Sequence, residues 1–318
     1  MSANIARFYI LNFGADGDGC RLISPFDRFS LTIDFNGVVS RMKMRYGIIV
    51  GCLMFLANSL WAEGQDFRVR ENHLFRDYTA EDIKAEIRFG RNLAARILGK
   101  YKLLSNDESQ RYVTLLGKGI AGQIGRAELT YYFAVIEMED INAFACPGGY
   151  VFISSGAIKS MNDEAQLVGV IAHEIGHINR RHEVKSLKIR AKGDSVVSGI
   201  AAAIGSSSAT ARILLDQLTE KAFKILFEEG RSKEDEFEAD SIGVEAMVTL
   251  GYDWRSYRSY LESLEGEIQR GVGKIVNKTH PSTRQRVNNI NRLVEKLHLN
   301  TVNGKKNAKR FKKYHDKI

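Results

Sequence analysis

Long apolar runs are missing from this chain, and cysteine and proline are scarce. The longest uninterrupted apolar stretch, Gly47 to Leu56, falls well short of the about 20 residues that a membrane-spanning helix requires. A bundle of transmembrane helices is therefore excluded. Three cysteines, Cys20, Cys52 and Cys146, are too few for a disulfide-stapled scaffold in 318 residues. Three prolines and 28 glycines, with no internal repeat and no Gly/Ser linker, exclude collagen-like and low-complexity chains and favour a compact, mainly helical protein. The formal net charge of +8 does not by itself indicate a nucleic-acid binder, because it is unevenly placed. Residues 305–318 hold seven Lys/Arg against Asp316, a net of +6, which leaves about +2 for the rest. The segment 300–318 thus reads as a basic, solvated and disordered tail, with weak contact to an anionic membrane or to nucleic acid as its other reading.

Met42 to Ala62 has the organisation of an export signal: a basic start (Met42-Lys43-Met44-Arg45), the short apolar run, then small residues up to Ala62. Export to the periplasm is the expectation. Retention as an uncleaved anchor, or lipidation at Cys52 within Ile49-Val50-Gly51-Cys52, are the alternatives. Residues 1–41 precede a signal that has its own methionine, and read as an N-terminal extension from a misassigned start. Once residues 1–62 are removed, Cys146 is left alone and no internal disulfide can form.

The remaining chain reads as one domain, about 66–299. Helical periodicity runs from Thr79 to Tyr101 and from Glu108 to Ile124, and strand-like runs follow at Tyr131–Ile136 and Tyr150–Ser155, the second after the breaker Pro147-Gly148-Gly149. Ser160 with Asp163 approximates a capping box for a helix reaching about His182. Beyond an apolar small-residue stretch, Ser195–Gly205, helices are expected at Ile213–Phe227, Glu236–Leu250, Trp254–Gln269 and Ser282–Leu297. The fold class is α+β and predominantly helical.

The chemistry is concentrated in His173-Glu174-Ile175-Gly176-His177. A spacing of four residues sets both imidazoles on one helix face, where two ring nitrogens can meet one zinc ion. Glu174 is then placed to take a proton from an attacking water rather than to bind metal. A catalytic zinc site needs a third protein ligand. Glu236, 59 residues after His177, is the candidate, and Asp240 one turn later can accept the free N–H of a liganding imidazole. Glu238 should face away. Arg286 is read as placing positive charge near the cleft.

These elements, together with His280-Pro281 and the run Asn142-Ala143-Phe144-Ala145-Cys146-Pro147-Gly148-Gly149-Tyr150, resemble the gluzincin metallopeptidases of the HtpX and CAAX-prenyl-protease class, and within it the soluble periplasmic BepA-like members. The resemblance covers about Arg88 to Leu297 and lacks the helical repeats of the longer relatives. It implies a zincin-type domain with one zinc ion per chain on His173, His177 and Glu236, and Glu174 as general base. It implies that Tyr150–Ser155 is a sheet edge that pairs with extended substrate, with Asn142, Phe144, Gly148, Gly149 and Tyr150 around it. It brings His280 to the site, either to assist the reaction or to close the metal's open position. The expected function is a zinc endopeptidase acting on proteins or peptides of the bacterial cell envelope, in quality control, with no nucleic-acid partner. The alternative is a latent or non-catalytic zinc-stabilised binding or chaperone module closed by His280.

Overall fold

A computed structural model describes residues 10–13, 19–23, 31–34, 78–187, 209–269, 280 and 282–318. The chain divides into two compact units, Met1–Phe75 and Arg76–Ile318. In the first, strands β1 (Ile10–Phe13), β2 (Gly19–Ile23) and β3 (Leu31–Asp34) form an antiparallel meander, Ile10 opposite Ile23 and Gly19 opposite Asp34. This pairing carries no information about where translation starts. The proposed export signal, 42–62, and the small-residue stretch Ser195–Gly205 lie outside the described residues.

The second unit opens with two amphipathic helices, α1 (Ala80–Lys100) and α2 (Asp107–Ile124). Thr79 caps α1 reciprocally with Asp82, and the Asn106 side chain accepts from Ser109 N to cap α2, so each helix satisfies orphan N–H groups at its start. A three-stranded sheet follows: β4 (Tyr132–Ile136), β5 (Ala143–Cys146) and β6 (Tyr150–Ser154). Its order is β4-β6-β5, with β6 parallel to β4 and antiparallel to β5. The sequence reading made Tyr150–Ser155 an edge; it is instead the central strand, and β5, not foreseen as a strand, is an edge. The tight turn at Gly148 (φ 77) and Gly149 (φ 103) folds β5 back along β6. A side chain on Gly149 would begin 2.4 Å from the Thr130 carbonyl oxygen, so the turn also requires close backbone approach.

Strand alternation divides the core. Phe133, Val135, Ala143, Ala145, Val151 and Ile153 face one apolar cluster, while Ile136, Phe144, Cys146 and Phe152 face a second, which packs on Phe89, Leu93 and Ile97 of α1. After the short α3 (Ser155–Lys159), the central helix α4 (Glu164–Arg180) lies in the first cluster. Its cap is Asp163, which accepts from Gln166 N at 2.9 Å. Ser160 closes α3 instead, its hydroxyl donating to Ala157 O, which corrects the expected capping box. Arg181 adopts the left-handed conformation (φ 56) and separates α4 from the short α5 (His182–Ser186).

Among the described residues there follow α6 (Ala209–Lys224), continued by a π turn at Ile225–Glu229, then α7 (Lys233–Thr249), α8 (Trp254–Gln269) and α9 (Thr283–Lys296). Helix α7 packs closely along α4: a side chain at Gly176 would begin 3.2 Å from Ala239 Cα, tighter than ordinary contact. No helix among the described residues is long and apolar enough to cross a membrane.

The basic tail is folded, against expectation. Residues 308–315 form α10 (Ala308–His315), with Phe311 2% exposed in the main core and Tyr314 stacked on Tyr112 at 4.3 Å. Arg310 pairs with the buried Glu164 at the start of α4, which also accepts from Tyr112 (2.8 Å), Tyr252 (2.6 Å) and Asn307 (2.8 Å). The physical reason is that the lysines share the segment with an apolar inner face, and one of its cations answers a buried carboxylate. Charge summed over the segment conceals both.

Candidate active site

Helices α4 and α7 bring the expected ligands together. On α4, the Nε2 atoms of His173 and His177 stand 3.0 Å apart. From α7, Glu236 Oε2 lies 3.5 Å from His173 Nε2, and its Oε1 lies 3.3 Å from His177 Nε2. His280 Nδ1 reaches Glu236 Oε2 at 2.8 Å. His173, His177, Glu236 and His280 are all buried, with one potential ligand atom from each within 4.8 Å of the others.

The protons on these rings bear on what the group can hold. Asp240 Oδ1 lies 3.0 Å from His173 Nδ1, the contact expected from the sequence. A carboxylate accepts only, so a His173 N–H sits at Nδ1, which leaves Nε2 as the nitrogen that a metal can take in place of its proton. Two buried carboxylate oxygens, Glu236 Oε1 and Glu174 Oε2, lack hydrogen-bond partners. Imidazole nitrogens and carboxylate oxygens converging in a dry site are the donor set that zinc takes, and the group present fits it.

Buried charge is balanced from behind. Arg286 donates from Nε and Nη2 to the two oxygens of Asp240 at 2.9 and 2.7 Å, and Tyr257 donates to Asp240 Oδ1 at 2.8 Å. Burial presses the Asp240 carboxyl upward, but the Arg286 charge and the bonds from His173 and Arg286 outweigh it and pull its pKa to about 2. Burial and Arg286 oppose a charge on His173, yet its bonds to Asp240 and Glu236 raise it to about 9. Burial, then Arg231, hold His177 well below its ordinary range. Burial raises Glu174 against the opposing charges of Arg231, His173 and His280, which makes it a stronger base than a solvated glutamate.

The Asp240 shift has a stability consequence. A folded pKa near 2, below the ordinary 3.8, contributes stability that is full above about pH 4 and disappears as pH falls through 2. Asp240→Asn is expected to flatten the stability profile of the metal-free protein across that interval, as thermal unfolding at stepped pH would show. An unaltered slope would remove Asp240 from the acid response.

A cavity opens on this group, lined by Asn142 and Ala143 at the start of β5, by Val170, His173 and Glu174 of α4, and by Tyr260, Leu261 and Leu264 of α8, with His280 and Arg286. Both amide atoms of Asn142 are buried without partners beside it. Of the residues expected around the substrate or near the cleft, Asn142 and Arg286 line the cavity, although the Arg286 guanidinium is engaged by Asp240 and Tyr257. Phe144 faces the opposite side of the sheet, against Phe152 and Phe227, because its register parity points it away from α4. Gly148 and Gly149 serve the turn beside α1 and Thr130, and Tyr150 stacks on Tyr132 at 5.0 Å; none of the three lines the cavity.

Sequence reasoning missed Tyr257, His182 and Arg231. Tyr257 was concealed within the apolar period of α8. His182 falls on another face if α4 is continued as a regular helix. The Arg231 side chain is 5% exposed, with Nη1 3.9 Å from Glu236 Oε1 and its guanidinium paired with Glu183 at 2.6 Å, and the residue precedes the α7 cap as an ordinary-looking loop arginine.

The family model described as Peptidase family M48 matches residues 107–294, more than half the chain, spanning α2, the sheet, α4, α7 and His280. The chain belongs to peptidase family M48. Among curated proteins it is 26% identical over 188 residues to the beta-barrel assembly-enhancing protease of Escherichia coli K12, an alignment covering 57% of this chain and 38% of that protein. It is 29% identical over 193 residues to the mitochondrial metalloendopeptidase OMA1 of Schizosaccharomyces pombe, covering 60% and 55% of the two chains. To the metalloprotease LoiP of Escherichia coli K12 it is 23% identical over 245 residues, covering 76% of this chain and 90% of that one. The chain thus spans well under half the length of the first of these relatives and about half of the second. The metallopeptidase family expected from the motifs is the one found, and the M48 chain has the predominantly helical α+β fold expected of it.

Proposed function

We propose that this M48 chain is a zinc-dependent endopeptidase of the bacterial cell envelope, exported to the periplasm, which hydrolyses peptide bonds in proteins as part of quality control. The observation that carries the reading is Glu174. It is buried, has one unpartnered oxygen, and lies beside His173 on the wall of the cavity onto which the ligand group opens. One zinc ion per chain is assigned to His173, His177 and Glu236, and the chemistry it supplies is Lewis acidity toward the scissile carbonyl and the attacking water.

The protein's own groups do the rest. Glu174, with its raised pKa, takes the proton from the attacking water and delivers it to the leaving amine. Asp240 holds the His173 ring, and Arg286 with Tyr257 holds Asp240. Ser154 N donates to Asn142 O at 2.9 Å, so strand alternation pairs Phe144 and Cys146 with β6 and turns the peptide groups of Ala143 and Ala145 outward. An extended substrate adds to that edge, and the Asn142 amide is its first polar contact. The exposed Lys305, Lys309, Lys312 and Lys313 suit weak contact with an anionic membrane surface; no nucleic-acid partner is proposed.

His280 supports a second reading, because its place among the four potential ligand atoms lets it fill the position that a reacting enzyme keeps open. His280→Ala separates the two in a casein-degradation assay with zinc content measured alongside. Higher turnover at unchanged zinc means that His280 holds the enzyme latent, and lower turnover at unchanged zinc means that it assists. Wild type and His280→Ala both loaded with zinc and both inert would make the chain a binding module and refute the endopeptidase.

A further inference from the structure

His182 stands just past the left-handed turn at Arg181, which ends α4 and brings the ring back beside it. His182 Nδ1 lies 2.8 Å from His177 Nδ1, and the two rings meet edge to face with centroids 5.0 Å apart. On its far side, His182 Nε2 lies 3.1 Å from Glu238 Oε2 and 3.4 Å from Asp235 Oδ1. Arg180 Nε forms an ion pair with the other oxygen of that carboxylate, 3.1 Å from Glu238 Oε1. The His182 side chain is 2% exposed, while those of Glu238 and Asp235 are 44% and 34% exposed. The contact therefore links the surface to the buried centre.

The order of protons along this line follows from chemistry. An ionised carboxylate only accepts, so His182 presents its N–H at Nε2. A neutral imidazole has one N–H, so His182 Nδ1 is an acceptor, and the atom 2.8 Å away, His177 Nδ1, donates to it. His177 is then left with its lone pair at Nε2, the nitrogen 3.0 Å from His173 Nε2; Glu236 Oε1, 3.3 Å away, accepts no hydrogen bond and so does not hold a proton there. The reverse order, with His182 donating from Nδ1, places the His177 proton on Nε2 and turns a ligand into a donor.

We propose that His182 is a positioning residue which, backed by Glu238 and Asp235, sets the tautomer of His177 so that Nε2 is free to bind metal. The inference rests on the zinc-site reading. Both histidine ligands on α4 are then oriented from α7: His173 directly by Asp240, and His177 through His182 by two acids at the surface. Metal affinity thereby depends on Glu238, a residue whose side chain points away from the centre.

Two measurements test this. The first is the zinc dissociation constant, by competition with a chromophoric chelator, for the full chain and its variants. His182→Phe keeps a ring of similar size without the acceptor, and is expected to weaken zinc binding by about 10–100-fold. His182→Asn, whose side-chain oxygen can take the place of Nδ1, should recover most of that loss. The double change Asp235→Ala/Glu238→Ala, at half-exposed positions, should weaken binding in the same direction while leaving the unfolding midpoint of the metal-free protein in place. The second is nitrogen-15 NMR of the imidazoles in the metal-free wild type, which should show His177 protonated at Nδ1 and bare at Nε2. A His177 proton on Nε2, or a His182→Phe variant that binds zinc as tightly as wild type, overturns the proposal. If wild type binds no zinc, the zinc-site reading fails by itself, and the NMR result still decides the tautomer. If His182→Phe does not fold, the surface pair and the wild-type spectrum decide it.

Discussion

Glu174→Gln is expected to retain zinc and lose about a hundredfold or more in peptide hydrolysis. The amide occupies the same volume at a site that is 1% exposed, so the packing of α4 around it persists. None of the four potential ligand atoms belongs to Glu174, so the metal content should not change. What disappears is the basic oxygen: the amide cannot take the proton from water or return it to the leaving amine. Metal analysis and casein turnover on the same preparation make the comparison. Turnover near that of wild type would remove Glu174 as the base, whereas parallel loss of zinc and activity would make it a ligand or a support for one.

The second large effect concerns a residue outside the site, in the docked C-terminal helix. Phe311→Ala is expected to destabilise the protein by roughly 3–5 kcal/mol, the usual cost of emptying a buried phenylalanine site. Against a total stability of about 5–15 kcal/mol, that is a severe loss. Removing residues 305–318 should cost more, because Glu164 then loses Arg310 and Asn307 while it stays buried at the first turn of α4. Activity should fall together with stability, since α4 carries His173, Glu174 and His177. The unfolding midpoint of the shortened chain is the measurement. An unchanged midpoint would restore the reading of this segment as solvated chain.

Much of the site was legible without a structure because it depends on local periodicity. His173 and His177 share a face by their spacing of four, and Glu236 and Asp240 share one for the same reason. Helix limits follow from caps: Ser232 accepts from Asp235 N at 3.1 Å, and Gly251 takes φ 72 past the end of α7, roles that serine and glycine favour. The cap at Asp163 was misassigned by three residues, because Ser160 satisfies an equally local pattern while closing the helix before it.

By itself, then, the sequence determined the helical character, the helix that carries the histidines, the acidic element whose Glu236 meets them, and the family to which these belong. Tertiary structure alone decided which strand forms the sheet's edge, that the lysine-rich end is a docked helix, that Arg286 grips Asp240, and that Glu238 reaches the centre through His182. The division has a physical cause. Ligand motifs are written at helical spacing along one element, so the chain's own period reveals them. Strand order, burial of a charged segment and a line of hydrogen bonds through a second imidazole depend on which elements meet. That meeting is settled by packing between residues far apart in the chain, such as Arg310 with Glu164 and His182 with Glu238.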